Sequence, residues 1–156
     1  MQIQIKGAKK KSRIIRESTR FFADKLMSKK EQRGLDIVIE LTRKLPRHTL
    51  GDATYDDGDV LIRTFPFKND WVLFRTIAHE MVHVKQYHLG ELVDNEDTTS
   101  SFKGKKYCWN TIEYYDHPWE LEAMSLERGL TINYLKSKGE WEWNLMRKKE
   151  SIYLLL

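Results

Sequence analysis

His79, Glu80 and His83 stand in the run His-Glu-Met-Val-His, inside Asp70-Trp-Val-Leu-Phe-Arg-Thr-Ile-Ala-His-Glu-Met-Val-His-Val-Lys-Gln-Tyr. On a helix, residues four apart lie one above the other, so the imidazoles of His79 and His83 project from one face and can grip a single metal ion. Glu80 follows about 100° further round. It is badly placed for the same ion but well placed for a water held there, so one helical turn offers two ligands and a general base.

The neighbouring residues favour that helix. Trp71, Phe74, Ile77, Ala78, Met81, Val82 and Lys85 make a broad stripe at helical spacing, Asn69 or Asp70 suits the N-cap, and Gly90 stands one residue past Leu89, where a closing glycine belongs. The competing reading is a buried helix whose two histidines are merely packed or solvated.

Such a site needs a body around it. The chain has 156 residues, enough for a single domain with its own core, 40% of them apolar and 32% charged. No run approaches the eighteen or so apolar residues of a membrane span. The N-terminal Met-Gln-Ile-Gln-Ile-Lys-Gly lacks the apolar core of a signal peptide, and the lone Cys108 has no disulfide partner. Together these predict a cytoplasmic protein without membrane contact. The net charge of +4 divides unevenly: residues 1–34 hold eleven Lys or Arg against three acids, a balance of +8 that leaves −4 for the other 122. Lys9, Lys10, Lys11, Arg13 and Arg16 can meet nucleic-acid phosphate, although a solvated basic face is the commoner use of such a cluster.

Residues 1–11 read as a loose basic arm or a short edge strand. Ile15, Phe22 and Leu26, flanked by Ile14 and Phe21, predict an amphipathic helix from Ser12 to Lys29 with Ser12 as its cap. Gly34 breaks it, and Leu35-Asp-Ile-Val-Ile-Glu-Leu reads as a strand. Residues 50–65 form a hairpin turning at Asp56-Asp57-Gly58-Asp59, with Pro66 ending the second strand. Leu92 to Lys106 reads as a long loop or a short hairpin. Pro118 opens a second long helix that runs to about Lys138, before Gly139. Trp141, Trp143, Leu145 and Met146 suggest a short terminal helix in a C-terminal extension, residues 140–156. The fold class is α+β: an N-terminal helix, a small mostly antiparallel sheet of about three or four strands, the His79/His83 helix and a C-terminal helix.

A hydrolytic zinc site takes three protein ligands and keeps one position open. A third histidine on the same helix is excluded, because Gln86 and Leu89 occupy the places where H-E-x-x-H-x-x-G-x-x-H needs glycine and histidine, and His88 is one residue off and points elsewhere. His117, just ahead of the Pro118 helix, and the glutamates within that helix remain.

Here the chain resembles a known family. Glu120-Leu-Glu-Ala123 matches the Glu-x-x-Ala of H-E-x-x-H zincins in the glutamate-ligand, gluzincin-like branch. From roughly Trp71 to Arg128, His-Glu-Met-Val-His-Val-Lys-Gln-Tyr followed by His-Pro-Trp-Glu-Leu-Glu-Ala is similar to small single-domain zinc metallopeptidases of bacteria and bacteriophages. The resemblance implies a zincin-like minimal domain over 1–156 with one catalytic Zn2+ held by His79, His83 and Glu120. It also implies Glu80 as general base, a peptide or protein substrate, and a cytoplasmic setting in a bacterium or a phage-infected host. Glu122, about 200° round the helix from Glu120, and His117 stay open as the third ligand. Tyr114, Tyr115 or His117 can supply an oxyanion donor, and Gln86 or Asp116 can orient an imidazole. In zinc peptidases of this element order the strand before the metal helix borders the cleft, which points to Val60–Phe65, though the same residues suit an ordinary core strand. Two other functions compete. One is a zinc-binding structural or interaction protein without useful catalysis; the other is a SprT-like DNA-associated protease recruited through residues 1–34.

Overall fold

The computed structural model describes residues 1–140 except Lys9, Arg47, His48 and Glu96. The expected terminal helix beyond Gly139 lies outside the described residues. In chain order the elements are β1 (Gln2–Lys6), α1 (Ser12–Leu26), β2 (Asp36–Leu41), β3 (Gly51–Asp56), β4 (Asp59–Thr64), α2 (Asp70–His88), β5 (Leu92–Asp94), β6 (Thr99–Phe102), β7 (Lys105–Cys108) and α3 (Pro118–Ser137). Two short 3-10 turns, Trp109–Thr111 and Tyr114–Asp116, lead into α3.

The α+β class holds, but the main sheet is mixed. Its order is β1-β2-β4-β3, with β1 parallel to β2, β2 parallel to β4, and only β3 and β4 antiparallel. The expectation of a mostly antiparallel sheet fails because α1 carries the chain back to the starting edge, so β2 must run alongside β1 in the same sense. Residues 1–6 are accordingly an edge strand rather than a loose arm. Ile37, Ile39, Val60 and Ile62 alternate onto the covered face, where they meet Ile15 and Phe22 of α1 and Leu73, Ile77 and Met81 of α2 in one core.

Val60–Phe65 is the ordinary core strand, not the border of a peptide site. β4 is hydrogen-bonded on both sides, by β2 and by β3, so it has no free edge to offer a peptide; the edge strand on that side is β3. Position in the chain does not decide position in a sheet, and β3 folds back outside β4. Leu92–Lys106 is likewise neither a loop nor a single hairpin, because β5, β6 and β7 pair antiparallel into a sheet of their own. Leu92 and Phe102 from that sheet bury Trp119 of α3 in a small separate cluster beside Tyr87 and Tyr107.

Ser12 is not the cap of α1. It is the first helical residue, its hydroxyl donates to the Ala8 carbonyl, and Lys11 takes the cap position without a side-chain bond. The Lys11 ammonium instead reaches the carbonyls of Phe67 and Lys68 and the Asp70 carboxylate, tying the start of α1 to the start of α2. Arg13 pairs with Glu17, and Arg16 donates to the Ile3 carbonyl. Of the N-terminal basic cluster, Lys11 is thus tied into the domain, while Arg13 and Arg16 stay exposed. No helix among the described residues is long and apolar enough to cross a membrane.

The β3/β4 turn is as the Asp-Gly signal requires: Asp57 and Gly58 have φ of 43° and 96°. A Cβ at Gly58 would also stand 2.5 Å from the Gly34 carbonyl oxygen, while Gly58's own carbonyl accepts from the Asp36 amide at 2.9 Å. Replacing Gly58 by Ala therefore combines a disfavoured φ with a clash against fixed backbone. Chemical denaturation should show a loss of roughly 2 kcal/mol.

Candidate functional site

The helix α2 begins where Asn69 accepts a hydrogen bond from the Trp71 amide and ends at Leu89, with Gly90 at φ 66° just beyond. It is buried nearly all round, from Trp71 to Gln86, because α1, the main sheet and α3 cover different sides of it. The side that is left open faces a cleft of about 790 Å³ whose walls include Gly51, Asp52, Arg75, His79, Glu80, His83, Tyr114, Tyr115, Glu120 and Glu127.

Three side chains converge there. His79 Nε2 and His83 Nε2 lie 3.2 Å apart, Glu120 Oε2 is 3.3 Å from the first and Glu120 Oε1 3.4 Å from the second. A tetrahedral ion with ligands at about 2.0–2.1 Å has donor-to-donor edges of about 3.3 Å, close to these spacings, each histidine here facing a different oxygen of the Glu120 carboxylate. These three are the group that could hold a metal among the described residues.

The other ring nitrogens explain why the Nε2 atoms point inward. His79 Nδ1 donates to Glu127 Oε2 at 2.8 Å, and His83 Nδ1 donates to Gln86 Oε1 at 2.8 Å. Gln86 Nε2 donates in turn to the Trp119 carbonyl and to Glu122 Oε2. Two acceptors on the amide nitrogen leave only the amide oxygen for His83, which sets a proton on Nδ1 and turns Nε2 toward His79 and Glu120. Gln86 is fully buried, so the alternative of a plain exposed glutamine is excluded.

Glu122 therefore does not compete with Glu120: its carboxylate is taken by Lys85, Lys103 and Gln86, outside the cluster. His117 does not compete either. It caps α3, stacks on Trp119 at 4.5 Å and turns Nδ1 to the Tyr114 carbonyl. His88 bonds the Tyr55 hydroxyl and the Glu31 carbonyl, away from the cleft, and Asp116 is exposed. Tyr114 and Tyr115 both line the cleft, and burial, with the Glu120 carboxylate nearby, raises the pKa of the Tyr114 hydroxyl.

Sequence reading missed Glu127 and Arg75. Arg75 Nε donates to Glu127 Oε1 at 2.5 Å, so one buried carboxylate ties the guanidinium to His79. Glu127 is seven residues after Glu120, two turns along the same helical face, and that periodicity was the available signal. Gly51 was also missed: a Cβ there would lie 2.6 Å from Thr76 Cγ2 and 3.1 Å from Glu80 Oε1, so the bare backbone lets β3 lie against the Glu80 carboxylate.

Electrostatics follow the contacts. Burial opposes a charge on His79, but hydrogen bonds to Glu120 and Glu127 outweigh it and raise its pKa to about 10. Burial also opposes ionisation of Glu120, yet bonds from His79 and His83 hold its carboxyl well below the usual range. For Glu80 burial wins over the nearby histidines, lifting its pKa to about 7.

Compared with family models, with curated proteins and with solved structures, the chain matches none.

Two outcomes are expected. In metal-stripped protein Glu80 binds its proton more tightly folded than unfolded, so its charge weakens the fold increasingly from pH 4.5 through about 7. Glu80→Gln should accordingly raise the melting temperature at pH 8, by the equivalent of up to about 3 kcal/mol, and leave it unchanged at pH 4.5. Removing the acceptor for His79 in Glu127→Ala should weaken zinc binding by about 10–100-fold in competition with a chromophoric chelator.

Proposed function

We propose that the protein is a zinc-dependent metallopeptidase that hydrolyses peptide bonds. The observation that carries this reading is the convergence of His79 Nε2, His83 Nε2 and the Glu120 carboxylate at 3.2–3.4 Å, on the wall of an open cleft and beside a buried glutamate. His79, His83 and Glu120 would hold the zinc, which would supply Lewis acidity and lower the pKa of a bound water toward neutrality.

The remaining steps belong to the chain's own residues. Glu80 accepts a proton from the attacking water and passes it to the leaving amine, a role that suits a carboxyl lifted toward neutrality by burial. Tyr114, which lines the cleft together with Glu120, donates to the oxyanion that develops on the scissile carbonyl. Glu127 and Gln86 keep the two imidazoles in the tautomer that ligation requires. The free edge of β3 along the cleft takes an extended peptide by strand addition, and Gly51 lets that strand lie against Glu80.

Metal analysis of purified variants, together with a diverse peptide pool read by mass spectrometry, tests the reading. Wild-type protein and Glu80→Gln should each carry one zinc per chain, and Glu120→Ala should lose it while Glu122→Ala keeps it. Wild-type protein should cleave peptides, and Glu80→Gln should be slower by at least about a hundredfold. Tightly held zinc in Glu120→Ala, or equal cleavage by Glu80→Gln, would overturn the assignment.

A further inference from the structure

We propose that Arg75 makes the cleft selective for substrates bearing a carboxylate on the C-terminal side of the scissile bond, supplied either by an Asp or Glu side chain or by the substrate's own terminus. The proposal rests on the peptidase reading above and adds a substrate class to it.

Arg75 is exposed, with 46% of its side chain accessible, and it lines the cleft one turn ahead of His79. Only its Nε is used, on Glu127 Oε1; the two terminal nitrogens have no hydrogen-bond partner among the described residues. A guanidinium anchored at one nitrogen keeps its other donors aimed and loses little freedom when a carboxylate arrives. Leu50, Val72 and Met124 line the same cleft, so it offers apolar surface to a methylene stem as well as charge to its end. The second arginine nearby, Arg63, is not equivalent, because Asp52 holds both its Nε and an Nη.

The direction of the peptide follows from β3. Its first residue, Gly51, abuts Thr76 and Glu80, and its fifth, Tyr55, reaches His88, so β3 runs alongside α2 in the same sense. A peptide taken antiparallel to that edge, the sense the proposal adopts, runs from the His88 end toward the Thr76 end. Arg75 therefore meets residues that follow the scissile bond.

The test uses zinc-loaded Glu80→Gln, which removes the base and keeps the cleft. Labelled peptides of one apolar scaffold carry Glu or Gln at each of the last three positions, with free or amidated C-termini, and binding is followed by fluorescence anisotropy. The acidic member of a matched pair should bind about tenfold tighter than its amide, as a charged hydrogen bond at a half-open site allows. That ratio should fall to within about twofold when Arg75→Gln is added, and should be partly kept by Arg75→Lys. Glu against Gln in amidated peptides reports the side-chain source, and free against amidated termini reports the other. Equal binding of acid and amide, or a ratio untouched by Arg75→Gln, would show that Arg75 serves only to anchor Glu127. Selective binding in a protein whose wild type cleaves nothing would leave the carboxylate site standing and remove the peptidase reading instead.

Discussion

Two ring nitrogens and the carboxylate that draws them together lie within 3.2–3.4 Å of one another only while both rings keep one orientation. Turned freely, each imidazole would seek water or a different acceptor, and the two Nε2 atoms would separate. What holds them is the engagement of the opposite nitrogen of each ring, by Glu127 for His79 and by Gln86 for His83. Both of these partners are buried, and both depend on α3 lying close against α2. Fully buried Ala78 and Ala123 are the small residues that suit such an approach.

The two sheets divide the work of supporting that helix pair. The main sheet carries α2 on its covered face and brings the backbone of Gly51 against Glu80. The smaller sheet does not reach the main core; it clasps Trp119 between Leu92 and Phe102 and so steadies the first turn of α3, where Glu120 stands. Lys85, Glu91, Glu122 and Lys103 link α2, the segment before β5, α3 and the β6/β7 turn around the same corner. A carboxylate that resembles a metal ligand in the sequence is in this way spent on positioning Gln86, and through it His83.

Several elements were legible from residue order because their causes are local. The Asn69 cap, the Asp57-Gly58 turn, the Pro118 start and the closing Gly90 each act within a few residues of themselves. The spacing of His79 and His83 works the same way, since one helical turn suffices to align two side chains. Ser12 failed as a cap for the complementary reason: its hydroxyl had a nearby carbonyl, Ala8, that served it equally well.

The sequence by itself determined the two histidines on one helix face, the neighbouring glutamate and the existence of a second helix carrying candidate carboxylates. Only tertiary structure set Glu120, rather than Glu122 or His117, beside the two histidines, because which side of α3 meets α2 depends on Trp119 being drawn into a cluster with Leu92, twenty-seven positions earlier. It also exchanged β4 for β3 at the edge of the cleft, since hydrogen-bonding neighbours in a sheet are settled by the path of the whole chain. Glu127 and Arg75 acquired their places for the same reason: a helical period names the face a residue occupies, and only packing says what that face touches.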